Sequence, residues 1–128
     1  MSKKIIIIDD DIDLVEALRL TLESEGFEVI DAQNGIKGLE KIKEEEPDLV
    51  LLDVMMGTQD EGFHVAYQIR NLDGFADIPI IMLTAVSQET GFTFDKEKDE
   101  DFLPVDEFIE KPINPDTLIE LVKNNLGL

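Results

Sequence analysis

Lys4-Ile5-Ile6-Ile7-Ile8-Asp9-Asp10 is the stretch on which the fold turns. A continuous β-branched run with no polar alternation reads as a strand buried on both faces, as in a parallel sheet covered by helices on each side. It stops abruptly at two carboxylates. Other apolar runs end in a related way: Leu49–Leu52 at Asp53, Ile78–Leu83 at Thr84, and Phe108-Ile109 through Glu110 at Lys111. In an open parallel α/β sheet, ligands bind in the crevice outside the carboxyl ends of the strands. Three carboxylates, a hydroxyl and an amine at four such ends make one site. It has the parts for a divalent cation and a phosphoryl group.

Helical patterns separate these runs. Asp11 can cap a helix to about Ser24, with Ile12, Leu14, Val15, Leu18 and Leu22 near helical spacing and Gly26 as its stop. Phe27–Ile30 reads as a second strand. Asn34 can cap a helix to about Glu45, with Ile36, Leu39 and Ile42 on one face, before Pro47. Asp48–Leu52 is the third strand. A polar, Gly-containing loop over Met56–Gly62 precedes a helix through Val65, Ala66, Ile69 and Leu72. Ile78–Leu83 and Asp106–Ile109 are the fourth and fifth strands. Asn114-Pro115-Asp116 opens a last helix, with a cap, a proline at the first helical position and an acid in the first turn. The order βαβαβαβ, an irregular segment over Val86–Val105, then βα predicts a parallel sheet with helices on both faces.

Composition narrows the function. At 128 residues, 1–128 is expected to be a single domain. Thirty acidic residues against 11 basic give a net charge of −19, which repels nucleic-acid phosphate and argues against direct nucleic-acid binding. There is no cysteine, so disulfides and thiolate metal sites are excluded, which fits a cytoplasmic setting. No apolar stretch approaches the ~20 residues of a membrane span. The isoleucine run ends at Asp9, too early for a secretion signal.

With these residues placed, the chain resembles the receiver domain of two-component response regulators over essentially its whole length. The resemblance is carried by Ile5–Asp10 (IIIIDD), Pro47–Met56 (PDLVLLDVMM), Ile78–Ala85 (IPIIMLTA) and Phe108–Ile113 (FIEKPI). It implies a flavodoxin-like, doubly wound five-stranded sheet of order 2-1-3-4-5. It also implies that Asp53 accepts the phosphoryl group, that Asp9 and Asp10 hold Mg²⁺, and that the Met55 carbonyl is a further metal ligand. Thr84 matches the switch hydroxyl and Lys111 the lysine that contacts the phosphoryl group. Phe108 matches an aromatic switch position, beside the simpler reading of core packing. The Lys111–Pro112 bond is expected to be cis. The resemblance places Met55 and Val86 where water approaches the acyl phosphate. Both are apolar and expected to slow its hydrolysis, beside the simpler reading of rim packing. His64, the only histidine, reads as a solvated helix residue.

The chemistry can be argued without the family. A carboxylate attacking phosphorus approaches an anion, so charge neutralisation is the main task. Mg²⁺ takes a few carboxylates, Lys111 adds a compact cation, and Thr84 can donate a hydrogen bond. Three carboxylates this close repel one another, so at least one pKa is expected to rise without metal.

The expected partners are a sensor histidine kinase or a phosphotransfer protein, and a downstream protein not identified by sequence. A haloacid-dehalogenase-type phosphatase would need a second Asp where Met55 stands, and a flavodoxin would not place Asp9-Asp10-Asp11 in its phosphate loop. The expected role is therefore a non-enzymatic switch whose chemistry is self-phosphotransfer and autodephosphorylation; the alternative is a phosphorylation-independent interaction module. The chain departs from the family pattern in two places. The loop after Asp53 lacks the usual Pro-Gly turn, and Thr84 and Lys111 are 27 residues apart, several more than usual. The excess falls where the fourth helix belongs, so an irregular extended segment is expected there. A group of stand-alone receivers carries a similar acidic insert, and with Leu128 directly after the last helix no output module is expected.

Overall fold

The computed structural model describes residues 3–53, 61–84 and 105–128. Five parallel strands lie in the order β2-β1-β3-β4-β5: β1 Lys4–Ile8, β2 Glu28–Ala32, β3 Leu49–Asp53, β4 Ile80–Thr84 and β5 Glu107–Glu110. Helices α1 (Ile12–Ser24), α2 (Gly35–Glu45), α3 (Glu61–Arg70) and α4 (Pro115–Asn125) are the ones among the described residues. The expected doubly wound sheet and its strand order are therefore observed. The irregular segment over 86–105 lies, but for Val105, outside the described residues.

The isoleucine run does what its composition demands. Ile5 to Ile8 are fully buried and face alternate sides. Ile6 and Ile8 join Val50, Leu52, Ile80 and Met82 in one core, and Ile5 and Ile7 join Leu49, Leu51, Ile81 and Leu83 in the other. The second core is closed by Val15, Leu18 and Leu22 of α1 and by Leu118 and Val122 of α4. The first is closed by Ile42 of α2 and by Val65, Ala66 and Ile69 of α3.

Caps sit where polar residues precede the helices. The Asp11 carboxylate accepts from the Leu14 N–H, Asn34 from Lys37, and Asn114 from both Asp116 and Thr117. Gly26, at φ 90, ends the first helical segment in a conformation that excludes most side chains.

Two of the positions expected on inner helix faces are not in the core. Ile12 is 59% and Ile36 75% exposed. Along α2, Gly35, Gly38 and Ile42 make the buried face. Helical spacing alone does not show that a glycine can occupy the inner face. Here a Cβ on Gly38 would stand 2.6 Å from Ile8 Cδ1, and one on Gly35 would stand 2.4 Å from Val65 Cγ2. Strand limits also shift by a residue or two. Pro79 has no N–H for the ladder, and β4 starts after it. Asp53 and Thr84 are the last residues of their strands rather than the residues just beyond.

Candidate functional site

The parallel register brings the expected residues to one end of the sheet. Ile8 of β1 pairs with Leu52 of β3, so Asp9 follows one strand where Asp53 closes the other. Asp9, Asp10 and Asp53 each offer a carboxylate oxygen within 4.8 Å of the others. Asp9 and Asp53 are buried and Asp10 is exposed. Thr84 closes β4 and is buried; its carbonyl accepts from the Lys111 N–H at 2.7 Å. That bond turns the Lys111 side chain in beside the carboxylates. Its Nζ lies 3.4 Å from Asp53 Oδ1 and 3.5 Å from Asp9 Oδ2. The Lys111–Pro112 bond is cis, as expected.

Asp9 is tightly held. It is 1% exposed, its N–H donates to the Ala32 carbonyl, and its Oδ1 accepts from the Asp11 N–H at 2.9 Å. Asp11 was readable as a helix cap; its backbone N–H as a tether for Asp9 was not. Asp9 Oδ2 is buried with no hydrogen bond, facing Lys111 at ion-pair distance. Burial pushes the Asp9 carboxyl up to about 6. The Asp53 and Asp10 charges push the same way, against the Asp11 N–H and Lys111. The expected rise of one carboxyl is thus present, with burial its first cause and repulsion an addition.

Phe108 is half-buried, pairs across the ladder with Met82, and packs against the α2/α3-side core. That is the packing reading of this residue. His64 is exposed on α3, as expected. Met55 and Val86 lie outside the described residues.

The model of the response regulator receiver domain matches residues 5–123. The chain belongs to the response regulator receiver family. Among solved structures, a CheY-like receiver domain protein from Methanospirillum hungatei JF-1 is 29% identical, with TM-score 0.82 over 99% of this chain and 95% of that one. The chemotaxis response regulator CheY4 of Vibrio cholerae is 26% identical, with TM-score 0.84 over 98% of this chain and all of its own. The receiver domain of the sensor histidine kinase PA1611 from Pseudomonas aeruginosa PAO1 shares the fold at 20% identity and TM-score 0.82, each chain covered in full. That receiver domain was solved with a magnesium ion coordinated in its active-site cleft. No helix among the described residues of the present receiver is long and apolar enough to cross a membrane.

Proposed function

We propose that this receiver domain accepts a phosphoryl group on Asp53 and that the modification switches its binding to a partner protein or passes the group on. The observation that carries the reading is the convergence of three carboxylates within 4.8 Å with Lys111 Nζ at 3.4 Å from Asp53. An all-oxygen donor set suits a hard divalent cation, and the buried Asp9 Oδ2, without a hydrogen bond, is an oxygen that a water on such a cation would satisfy. Asp10 and Asp53 would hold Mg²⁺ directly, with the Met55 carbonyl, and Asp9 one step back. Bound there, Mg²⁺ supplies charge neutralisation for the incoming phosphoryl oxygens.

The residues of the chain do the rest. An Asp53 carboxylate oxygen attacks phosphorus, a new P–O bond forms, and the bond to the donor breaks with its electron pair leaving on the donor. The Lys111 ammonium, already beside Asp53, offsets part of the charge gathering on the phosphoryl oxygens. The Thr84 hydroxyl, at the adjoining strand end, would donate to one of them. Phe108, next to Met82 of β4, would register any movement of that strand end.

The donor is a phosphohistidine of a sensor kinase or phosphotransfer protein, the setting is cytoplasmic, and 1–128 acts as one unit. The phosphotransfer is the protein's own modification and turns over no external substrate. Incubation with Mg²⁺ and acetyl phosphate tests the reading. Intact mass should show one added phosphoryl group on the wild type and none on Asp53→Asn. Equal labelling of both would remove Asp53 from the role.

A further inference from the structure

The two aspartates at the amino end of the sheet form the same structure twice. Asp48, just before β3, donates its N–H to the Lys4 carbonyl at 2.7 Å, and its Oδ2 accepts from the Lys4 N–H at 2.8 Å. Asp106, just before β5, donates its N–H to the Ile80 carbonyl at 2.9 Å, and its Oδ2 accepts from the Ile80 N–H at 2.9 Å. Each aspartate thus grips both backbone groups of the first residue of the neighbouring strand. Arg70, the last residue of α3, fastens the second clasp: its Nη2 donates to Asp106 Oδ2 at 2.9 Å and its Nη1 to the Ile78 carbonyl.

These clasps supply what the apolar runs lack. Ile5–Ile8, Leu49–Leu52 and Ile80–Leu83 are each fully buried. Register is strongly specified where one face of a strand is buried and the other is not, because a one-residue slip exchanges the faces; a run that is apolar on both faces lacks that particular penalty. Sliding β3 by two residues against β1 would leave aliphatic opposite aliphatic in the middle of the run, while carrying Asp48 or Asp53 into it. It would also shift the strand end by about 7 Å, more than the 4.8 Å within which the three carboxylates gather. The clasp removes that freedom. Lys4 precedes Asp9 by five residues and Asp48 precedes Asp53 by five, so gripping one end in register aligns the carboxylates at the other. The second pair works alike: Ile80 precedes Thr84 by four residues and Asp106 precedes Glu110 by four, which sets Lys111 one step past Thr84.

We infer that Asp48 and Asp106 are positioning residues, one aligning the β1/β3 pair that carries the carboxylates and the other aligning the β4/β5 pair that carries Thr84 and Lys111. The functional readouts below rest on the proposed phosphotransfer; the register readout does not.

The test separates the two clasps in the full chain. Asp48→Ala should weaken Mg²⁺ binding roughly tenfold, the usual scale for losing a residue that orients metal ligands. Asp48→Glu, which keeps the charge but lengthens the arm, should do the same and replaces the alanine variant if that does not fold. Asp48→Asn keeps the acceptor and should bind as the wild type does. Asp106→Ala should not weaken Mg²⁺ binding, but should slow Asp53 labelling by acetyl phosphate at saturating Mg²⁺ by up to roughly a hundredfold, the scale on which a catalytic group displaced by about 1 Å acts. Val122→Ala, in the core under α4, should lose stability and change neither property. If both aspartate variants moved both properties only in proportion to lost stability, the clasps would be ordinary stabilising contacts. If the wild type neither bound Mg²⁺ nor was labelled, the proposed function would be what failed. Cross-strand NOEs between Ile5–Ile8 and Leu49–Leu52 would then decide: their loss in Asp48→Ala supports the clasp, and an unchanged pattern overturns it.

Discussion

Lys111 Nζ stands 3.4 Å from Asp53 Oδ1 and 3.5 Å from Asp9 Oδ2, so one ammonium is shared by two buried carboxylates. It balances part of their repulsion, and it occupies the space beside the residue proposed to take the phosphoryl group. The two effects pull apart on mutation. Lys111→Met keeps the length of the side chain and removes the charge. Mg²⁺ binding should tighten, because the cation no longer competes with a resident one. Labelling of Asp53 at saturating Mg²⁺ should fall by roughly a hundredfold, the scale on which one preorganised electrostatic contact to a reacting oxyanion acts. Isothermal titration and timed mass spectrometry measure the two. Weaker metal binding together with unchanged labelling would contradict the shared-cation reading.

Asp9 makes metal-free stability depend on pH in an unusual direction. Its carboxyl is raised from an ordinary 3.8 to about 6. Between those values the folded chain holds a proton that the unfolded chain releases. The stabilisation is fully present below about pH 4 and is lost as pH rises through about 6. Wild type and Asp9→Asn, compared by denaturant unfolding with EDTA across this range, should diverge as pH rises, the wild type losing more. Mg²⁺ affinity should run the other way and weaken below about pH 6, because the proton competes with the ion. Parallel stability curves for the two proteins would show that Asp9 is not the group responsible.

Much of this arrangement was legible in the chain because its apolar runs are short, continuous and end in reactive side chains. Ile5–Asp10 and Leu49–Asp53 announced both the parallel sheet and the residues at its carboxyl end. The inner face of α2 was not legible. Ile36 fits a helical stripe as well as Ile42 does, yet it is 75% exposed, because Gly35 and Gly38 bring that helix in on its side-chain-free face. Asp48 and Asp106 read in the sequence as the first residues of the third and fifth strands, whereas each stands just before its strand. Their signal was the equal count from Lys4 to Asp9 and from Asp48 to Asp53.

The two glycines of α2 should respond differently to a methyl group. At Gly35 the added Cβ would lie 2.4 Å from Val65 Cγ2. That methyl sits on a β-branched carbon with little rotamer freedom, so α3 itself must move. Gly35 also opens the helix, where alanine gains little. Gly35→Ala should therefore cost about 2 kcal/mol, within the usual range for overpacking. At Gly38 the nearest obstacle is Ile8 Cδ1 at 2.6 Å, the far end of its side chain, with Cγ1 at 3.0 Å and Cγ2 at 3.3 Å behind it. There the helix interior returns about 1 kcal/mol for replacing glycine by alanine. Gly38→Ala should cost less than half as much as Gly35→Ala. Urea denaturation of both variants decides, and the reverse order would mean that the β1 side of α2 is the tighter one.

Glu46 offers the opposite change. It ends α2 at φ 49 and ψ 61, in the left-handed region, with its N–H on the Ile42 carbonyl. A side chain there brings Cβ close to the following carbonyl, at a cost of roughly 1–2 kcal/mol that glycine avoids. The next residue is Pro47, whose ring further restricts the residue before it. Against this, glycine loses more freedom on folding, which takes back about 0.5–1 kcal/mol. The steric gain is the larger of the two, so Glu46→Gly should stabilise the protein by about 0.5 kcal/mol. The position lies at the amino end of the sheet, before β3, so Mg²⁺ affinity and Asp53 labelling should not change. Glu46→Ala separates the backbone effect from the charge, since it removes the carboxylate while keeping the Cβ. It should not share the gain. An equal stabilisation by alanine and glycine would assign the effect to lost charge repulsion in a chain of net charge −19 rather than to the left-handed backbone.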